Sequence, residues 1–521
     1  MTEPLLSRTS IAASELINPY PPTETGIVHL GLGNFHRAHQ AVYTAAALRH
    51  EPGPWGILGV ANRSSTIADA MQTQELLYSV VEISPDGAQV RIPGTHTGTL
   101  VADQDPDAVV RAIAAPATKI VTITVTEHGY TVAPETGSLD MDAEVVRRDL
   151  VPGAAPRTTI GQIARGLTVR ALTHGTPITI VSCDNLLSNG RQTERLVREF
   201  IAAGHVAVRA EVQTWIDANV RFPNSMVDRI VPSGGARYNR TTLAHLGVRD
   251  AIAVPAEPFT MWVLENRFAA ARPAWEHGGA LFTDDVEPYE LMKLRLLNGT
   301  HSLIAYLGAL DGHATIPDAI AQPFIEDAAV RVLDDYLPTV TVPDTMNIDD
   351  YIQQLFSRWS NSALGHRTSQ VGSDGSVKLA QRVPLPALEH LGRGRLPQHL
   401  ALTVAAYLCC VAPRPGFTPG SHARAMRDPA RPRLAEISEK ATSTTEFVRS
   451  VFETGGIFPT SLAAHTDFLT RVAEFIDILV RHGPVTAAAE AADPAITLDT
   501  SRWTRGSDSS LHLCYGAPSP R

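Results

Sequence analysis

The segment Gly26-Ile27-Val28-His29-Leu30, followed at once by Gly31-Leu32-Gly33-Asn34-Phe35-His36, permits few folds. A short apolar run ending in closely spaced glycines reads as a buried strand and a tight turn, and Arg37 to Arg49 then reads as a helix. Strand, glycine turn and helix in that order begin a βα unit. Gly31 and Gly33 let backbone approach a pyrophosphate, Asn34 and Phe35 follow in the turn, and the N-terminus of the next helix favours its charge. These four are candidate cofactor-binding residues. His36 replaces the third glycine of the general dinucleotide fingerprint. The second reading of His36 and His39 is therefore packing between helix and turn.

Three further apolar strands are expected: Trp55–Ala61, Ile120–Val125 and Ile178–Ser182. Apolar strands alternating with helical stretches imply a parallel sheet with helices on both faces, whose ligand crevice lies at the carboxyl ends of the strands. Polar clusters stand at those ends. Arg63 follows the first of the three, with no carboxylate before Asp69. An acid there would favour NAD, whereas an arginine can pair with the extra phosphate of NADP. Thr126 follows the next strand, and Asn189-Gly190, which alone is a simple turn signal, follows the last. From about residue 287 the chain becomes rich in alanine and leucine, with helical patterns at Leu400–Val411, Thr445–Phe452 and Ala464–Val480. The expected fold is an α/β N-terminal Rossmann-type domain (1–286, with 1–25 an extended lead-in) and a mainly α-helical C-terminal domain (287–521, with 501–521 a loose tail).

A length of 521 residues fits two domains. A net charge of -10 offers no basic footprint for nucleic acid or an anionic membrane. A small solute is the expected partner, and no protein partner is indicated. The four cysteines (Cys183, Cys409, Cys410 and Cys514) form no metal-ligand spacing, and reduced thiols in a cytoplasmic protein are expected. The longest apolar run, around Leu400 to Ala412, falls short of the roughly 20 residues a membrane helix needs.

Glu290-Leu-Met-Lys293-Leu-Arg-Leu-Leu-Asn298-Gly-Thr-His301 reads as a helix with Pro288 before its first turn. At about 100° per residue, Glu290 lies about 60°, His301 about 80° and Asn298 about 140° from Lys293. A carboxylate, an amine, an amide and an imidazole thus share one face. A solvated face is one reading. The other is catalytic: a desolvated lysine acts as general base, and a neighbouring amide donates to a developing alkoxide.

Lys293-x4-Asn298-x2-His301 resembles the signature of the polyol-specific long-chain dehydrogenases, the mannitol dehydrogenase family. Gly31-x-Gly33-x-Phe35-His36-Arg37-Ala38-His39 resembles that family's opening motif. Phe222 to Pro232, Ala256 to Val263 and Arg272 to Glu276 are similar as well. The likeness runs from about residue 26 to about 480. It implies a metal-independent oxidoreductase that uses NAD, with NADP left open by Arg63. It implies Lys293 as general base, Asn189 and Asn298 as amides flanking the reacting oxygen, His301 orienting a neighbouring hydroxyl and Glu290 passing the proton to solvent. It places Val227 and Asp228 along the substrate pocket; a structural loop with an Asp–Arg pair is the alternative there.

Substrate choice rests on Arg358 to Arg382. His366-Arg367-Thr-x-Gln370 followed by Asp374-Gly-Ser-x-Lys378-Leu-x-Gln-Arg382 resembles the fructuronate reductase (D-mannonate oxidoreductase) branch more than the mannitol dehydrogenases. A sugar acid needs a cation for its carboxylate and a neutral hexitol does not. Arg367, Gln370 and Lys378 are the candidate substrate contacts, and Arg382 is better suited to a salt bridge between domains. The expected reaction interconverts D-mannonate and D-fructuronate. The alternatives are mannitol 2-dehydrogenase or another polyol dehydrogenase and, in a different class, a nucleotide-binding regulator without catalysis.

Overall fold

The computed structural model describes residues 3–133, 136–204, 207–232, 238–492, 503–505 and 511–513. It divides into two compact units, Met1–Glu287 and Pro288–Arg521.

The first unit is built on a six-stranded sheet, all parallel, in the order His96–Val101, Gly56–Ala61, Thr25–Leu30, Ile120–Ile123, Ile178–Ser182 and Val220–Arg221. Numbered along the chain this order is 3-2-1-4-5-6, the doubly wound Rossmann arrangement, which reverses direction between Thr25–Leu30 and Ile120–Ile123. The pleat sends alternate side chains to opposite faces. Val28 and Leu30 join Ile163, Leu167 and Phe200 on one side, while Ile27 joins Ala41, Tyr43 and Trp262 on the other.

Several strands escaped the pattern reading. His96–Val101 is a sheet edge with a half-exposed centre, so its sequence, His-Thr-Gly-Thr-Leu-Val, lacks an apolar run. Two three-stranded sheets were also missed: Val254–Ala256 with Val80–Ser84 and Gly87–Arg91, and Leu281–Thr283 with Met261–Glu265 and Ser225–Asp228. The lead-in is not simply extended. Leu6 and Leu16 are buried against Leu77, Ile92 and Val248, and Ala13–Glu15 forms a 3₁₀ turn.

The second unit is helical. Thr300–Leu310 is buried from Thr300 to Ala309, and Gln398–Val411, which packs against it, is buried at every position. Helices apolar all round belong to a core. No described helix is long and apolar enough to cross a membrane. Half-buried Asp335 accepts the backbone N–H groups of His399 (3.0 Å) and Leu400 (3.1 Å), satisfying the start of the Gln398–Val411 helix. In the expected tail, Trp503–Arg505 pairs antiparallel with Leu511–Leu513. The rest of 501–521, Cys514 included, lies outside the described residues. Cys183, Cys409 and Cys410 are free and buried.

Candidate active site

The glycine turn leaves the carboxyl end of Thr25–Leu30, at the reversal of strand order. Gly31 has φ +104°, and a Cβ there would sit 2.0 Å from the Thr124 carbonyl oxygen. The fold itself therefore demands glycine. Gly33 differs. It is extended (φ -117°) at the start of Asn34–Ala38, and the nearest atom to a Cβ there is the Gly31 carbonyl oxygen at 3.7 Å. No protein atom fills that space, which fits the close approach of a pyrophosphate.

The residues around the turn are tightly tied. His29 contacts Thr122 Oγ1 through Nδ1 (2.8 Å) and Thr124 Oγ1 through Nε2 (2.9 Å), and its ring stacks on His36 at 3.4 Å. His36 Nε2 meets His96 Nε2 at 3.2 Å. Burial pushes His29 and His96 down to about 3, and His36 falls well below its usual range for the same reason. The three rings are neutral packing elements. At His39 (φ -125°, ψ -90°) the expected single helix divides into Asn34–Ala38 and Gln40–His50, and His39 Nε2 lies 3.0 Å from the Met261 carbonyl. Asn34 Oδ1 accepts from Arg37 Nη2 (2.7 Å), and half-buried Phe35 stacks on His39.

Arg63 is exposed beyond Gly56–Ala61, and its side chain has no partner among the described residues. Thr126, also exposed, has φ +66°, a conformation that a β-branched residue seldom adopts. The Asp184 carboxylate holds this loop, accepting from Val125 N (3.0 Å), Thr126 N (2.9 Å) and the Tyr130 hydroxyl (2.8 Å). Such strain characteristically marks ligand-facing loops.

Asn189 departs from expectation. Its Nδ2 donates to the carbonyls of Asp184 (3.1 Å) and Ser225 (2.7 Å), and its Oδ1 accepts Ser225 N (2.9 Å). Both amide protons are committed, so this arrangement leaves none for a substrate oxygen. Asn189 serves here as a buried cross-link. Val227 lies in the apolar core with Trp262 and Leu264. Asp228 beside it is buried. Arg229 reaches Glu82 Oε1 (2.7 Å) and the carbonyls of Ala38 and Glu257.

In the second unit the expected single helix has three parts: α-helix Glu287–Met292, π-helix Lys293–Gly299 and α-helix Thr300–Leu310. This corrects the angles drawn from uniform α geometry. A π turn closes over five residues, so Lys293 and Asn298 stack along the axis instead of diverging. Glu290 precedes Lys293 by three and His301 follows Asn298 by three, the spacing of neighbours on an α-helix. All four polar groups align.

Glu290, Lys293 and His301 are buried and Asn298 is half-buried. Neither the Asn298 amide nor His301 Nε2 has a hydrogen-bond partner among the described residues. Burial pushes His301 well below its usual range, and His366, Arg382, Arg358 and Lys378 push it the same way. The His366 ring is 5.2 Å away; burial and then Lys378 lower it to about 4. Lys378 Nζ donates to the carbonyls of Val371 (3.0 Å) and Ser373 (2.7 Å). Arg382 Nη1 donates to the Asn298 carbonyl (2.9 Å) and Ser302 Oγ (2.7 Å). Arg367 and Gln370 are exposed. Sequence reasoning passed over Arg358 and His366 as site residues. Nothing in the sequence separates Arg358 from an ordinary arginine at a helix end. Among the described residues no cluster of His, Cys, Asp and Glu could hold a metal ion.

Two family models match the chain: the mannitol dehydrogenase Rossmann domain over residues 25–277 and the mannitol dehydrogenase C-terminal domain over 285–480. The chain belongs to the mannitol dehydrogenase family. Members are oxidoreductases, and this chain is one. It is 36% identical to D-mannonate oxidoreductase of Escherichia coli (strain K12) over 466 residues, 88% of this chain and 94% of that protein. It is 37% identical to polyol:NADP oxidoreductase of Gluconobacter oxydans (strain 621H), over 68% of this chain and 73% of that one. Among solved structures, Pseudomonas fluorescens mannitol 2-dehydrogenase in ternary complex with NAD and D-mannitol superposes with a TM-score of 0.79 at 31% identity, covering 95% of this chain and 98% of that one. In mannitol dehydrogenase family terms, the glycine turn lies in the Rossmann domain and Lys293 to His301 in the C-terminal domain.

Proposed function

We propose that this family member interconverts D-mannonate and D-fructuronate with NAD. The carrying observation is the charge around His301. Arg358, Lys378 and Arg382 all bias that imidazole toward neutrality, and a field that repels a proton attracts a carboxylate. Arg367, beside His366 and with its guanidinium unpartnered among the described residues, is suited to pair with that carboxylate.

NAD, when bound, would supply the hydride acceptor; Gly31, Gly33, Asn34, Phe35 and Thr126 would hold it, with Arg63 placed to read the adenosine ribose. In the oxidative direction Lys293, buried on the π turn, takes the hydroxyl proton. The Asn298 amide donates to the oxygen as its proton departs. Neutral His301 offers one ring nitrogen as donor and one as acceptor, which suits a neighbouring hydroxyl. Glu290, one turn before Lys293, relays the proton onward. The second reading is D-mannitol oxidation, favoured by the structural likeness to mannitol 2-dehydrogenase.

NADH oxidation measured side by side with D-fructuronate and D-fructose tests the choice. Turnover of fructuronate alone is expected. Turnover of fructose alone would establish the second reading, and silence with both, repeated with NADPH, would reopen the substrate.

A further inference from the structure

The π turn that aligns Lys293 with Asn298 is an uncommon conformation, and something must hold it against relaxing to an α-helix. Three contacts touch it. Buried Arg295 donates to the Thr339 carbonyl and lies 3.3 Å from Glu389. At Gly299 a Cβ would sit 2.5 Å from the Tyr336 ring, so the ring abuts the backbone there. Arg382 reaches the carbonyl of Asn298 itself at 2.9 Å. Ser302 Oγ donates to the same oxygen at 3.2 Å and accepts from Arg382 at 2.7 Å. Two side-chain donors thus converge on one main-chain oxygen where the π turn rejoins the α-helix. Side chains inserted into a helical ladder are a recognised cause of local departure from α geometry.

We propose that Arg382 is a positioning residue, clamping the Asn298 carbonyl so that the π turn persists and the Asn298 amide stays aligned with Lys293. A guanidinium is well fitted to such a clamp, since its fixed fork reaches two oxygens at once and it keeps its charge when buried. Arg382 acts on the reaction through Asn298 and touches main chain and Ser302 in doing so. This rests on the dehydrogenase reading of Lys293 and Asn298.

The test compares Arg382→Ala, Arg382→Lys, Asn298→Ala and the Arg382→Ala/Asn298→Ala double variant, each with D-mannonate and with D-mannitol. For Arg382→Ala, kcat is expected to fall about 10- to 100-fold, the effect of a small misplacement. KM for NAD should hold, and added guanidinium should restore part of the rate. Arg382→Lys should lose less. The double variant should be no slower than Asn298→Ala alone, because one residue acts through the other. Losses that multiply in the double variant would overturn the proposal. So would a loss seen with mannonate but absent with mannitol, which would make Arg382 a carboxylate ligand. If the wild-type protein turns over neither compound, the proposed substrates fail, and a crystal structure of Arg382→Met decides the positioning claim alone. Residues 293–299 relaxed to α-helix would uphold it, and an intact π turn with Asn298 unmoved would refute it.

Discussion

Asn189 in the first unit and Asn298 in the second stand in opposite circumstances, and the histidines differ less sharply, since buried His36 Nδ1 and His301 Nε2 both lack a hydrogen-bond partner among the described residues. In the first unit His29, His36 and His96 contact one another and nearby threonines, and Asn189 spends its whole amide on Asp184 and Ser225. In the second, His301 Nε2 and the Asn298 amide have no partner among the described residues. Burying an unpaired polar group is costly, and folds seldom tolerate it without a purpose. For the asparagines the contrast separates a side chain that completes a fold from one left open to a ligand, and residue type alone could not have drawn that line.

The largest effect expected is at the base. Lys293→Ala should lower turnover about 10²- to 10⁴-fold while NAD binding, followed by fluorescence titration, is retained; near-normal turnover would remove Lys293 from its role. Next come the two asparagines, which test the comparison directly. Asn298→Ala should cost about 10²-fold in kcat with Tm unchanged. Asn189→Ala removes the side-chain acceptor of Ser225 N and one donor from each of two carbonyls, so about 1–3 kcal/mol of stability should go, read as a lower Tm. If Asn189→Ala instead keeps its Tm and loses kcat, Asn189 exchanges a protein bond for substrate and the contrast collapses.

The two glycines come third. Gly31→Ala drives a methyl into the Thr124 carbonyl and should cost soluble yield. Gly33→Ala meets no protein atom closer than 3.7 Å, so Tm should hold while the NAD Kd rises about tenfold, roughly 1.4 kcal/mol. Equal losses of Tm would mean that Gly33 also serves the fold.

The smallest effects concern pH, where the units lean opposite ways. His29 and His96 are lowered from 6.5 to about 3. Their contribution to stability is complete above pH 6.5 and is lost as pH falls toward 3. Burial raises Asp335 from 3.8 to about 7, so its contribution is complete below 3.8 and lost as pH rises through 7. Asp335→Asn should therefore raise Tm more at pH 8 than at pH 4. An equal change at both would show that Asp335 stays ionised throughout, held by the two N–H groups it caps.

The central sheet was legible because buried parallel strands must be continuously apolar, as in Ile178–Ser182. The edge strand His96–Val101 was not, since half-exposed threonines and a glycine carry no such signature. Lys293, Asn298 and His301 were legible as a spacing. Their true alignment was hidden, because Lys-Leu-Arg-Leu-Leu-Asn-Gly has no feature that separates a π turn from an α turn. Arg358 went unassigned and Arg382 was read as a salt bridge, because a cation in a sequence does not reveal what it will touch.

The π turn also bears on how this chain can change over generations. Shortening it by one residue between Lys293 and Asn298 would leave a well-formed, equally greasy α-helix that folds without complaint. In that α-helix the lysine and the asparagine would stand four residues apart, about 40° around the axis, and would still share a face. Relaxing the turn at its present length would instead return Asn298 to about 140° from Lys293, so selection for turnover would punish relaxation more than the loss of one residue. A census of one-residue gaps along this helix in a library of random deletions should find Leu294 to Leu297, between the lysine and the asparagine, tolerated for turnover more often than positions in Thr300–Leu310, where a gap turns all that follows by about 100°.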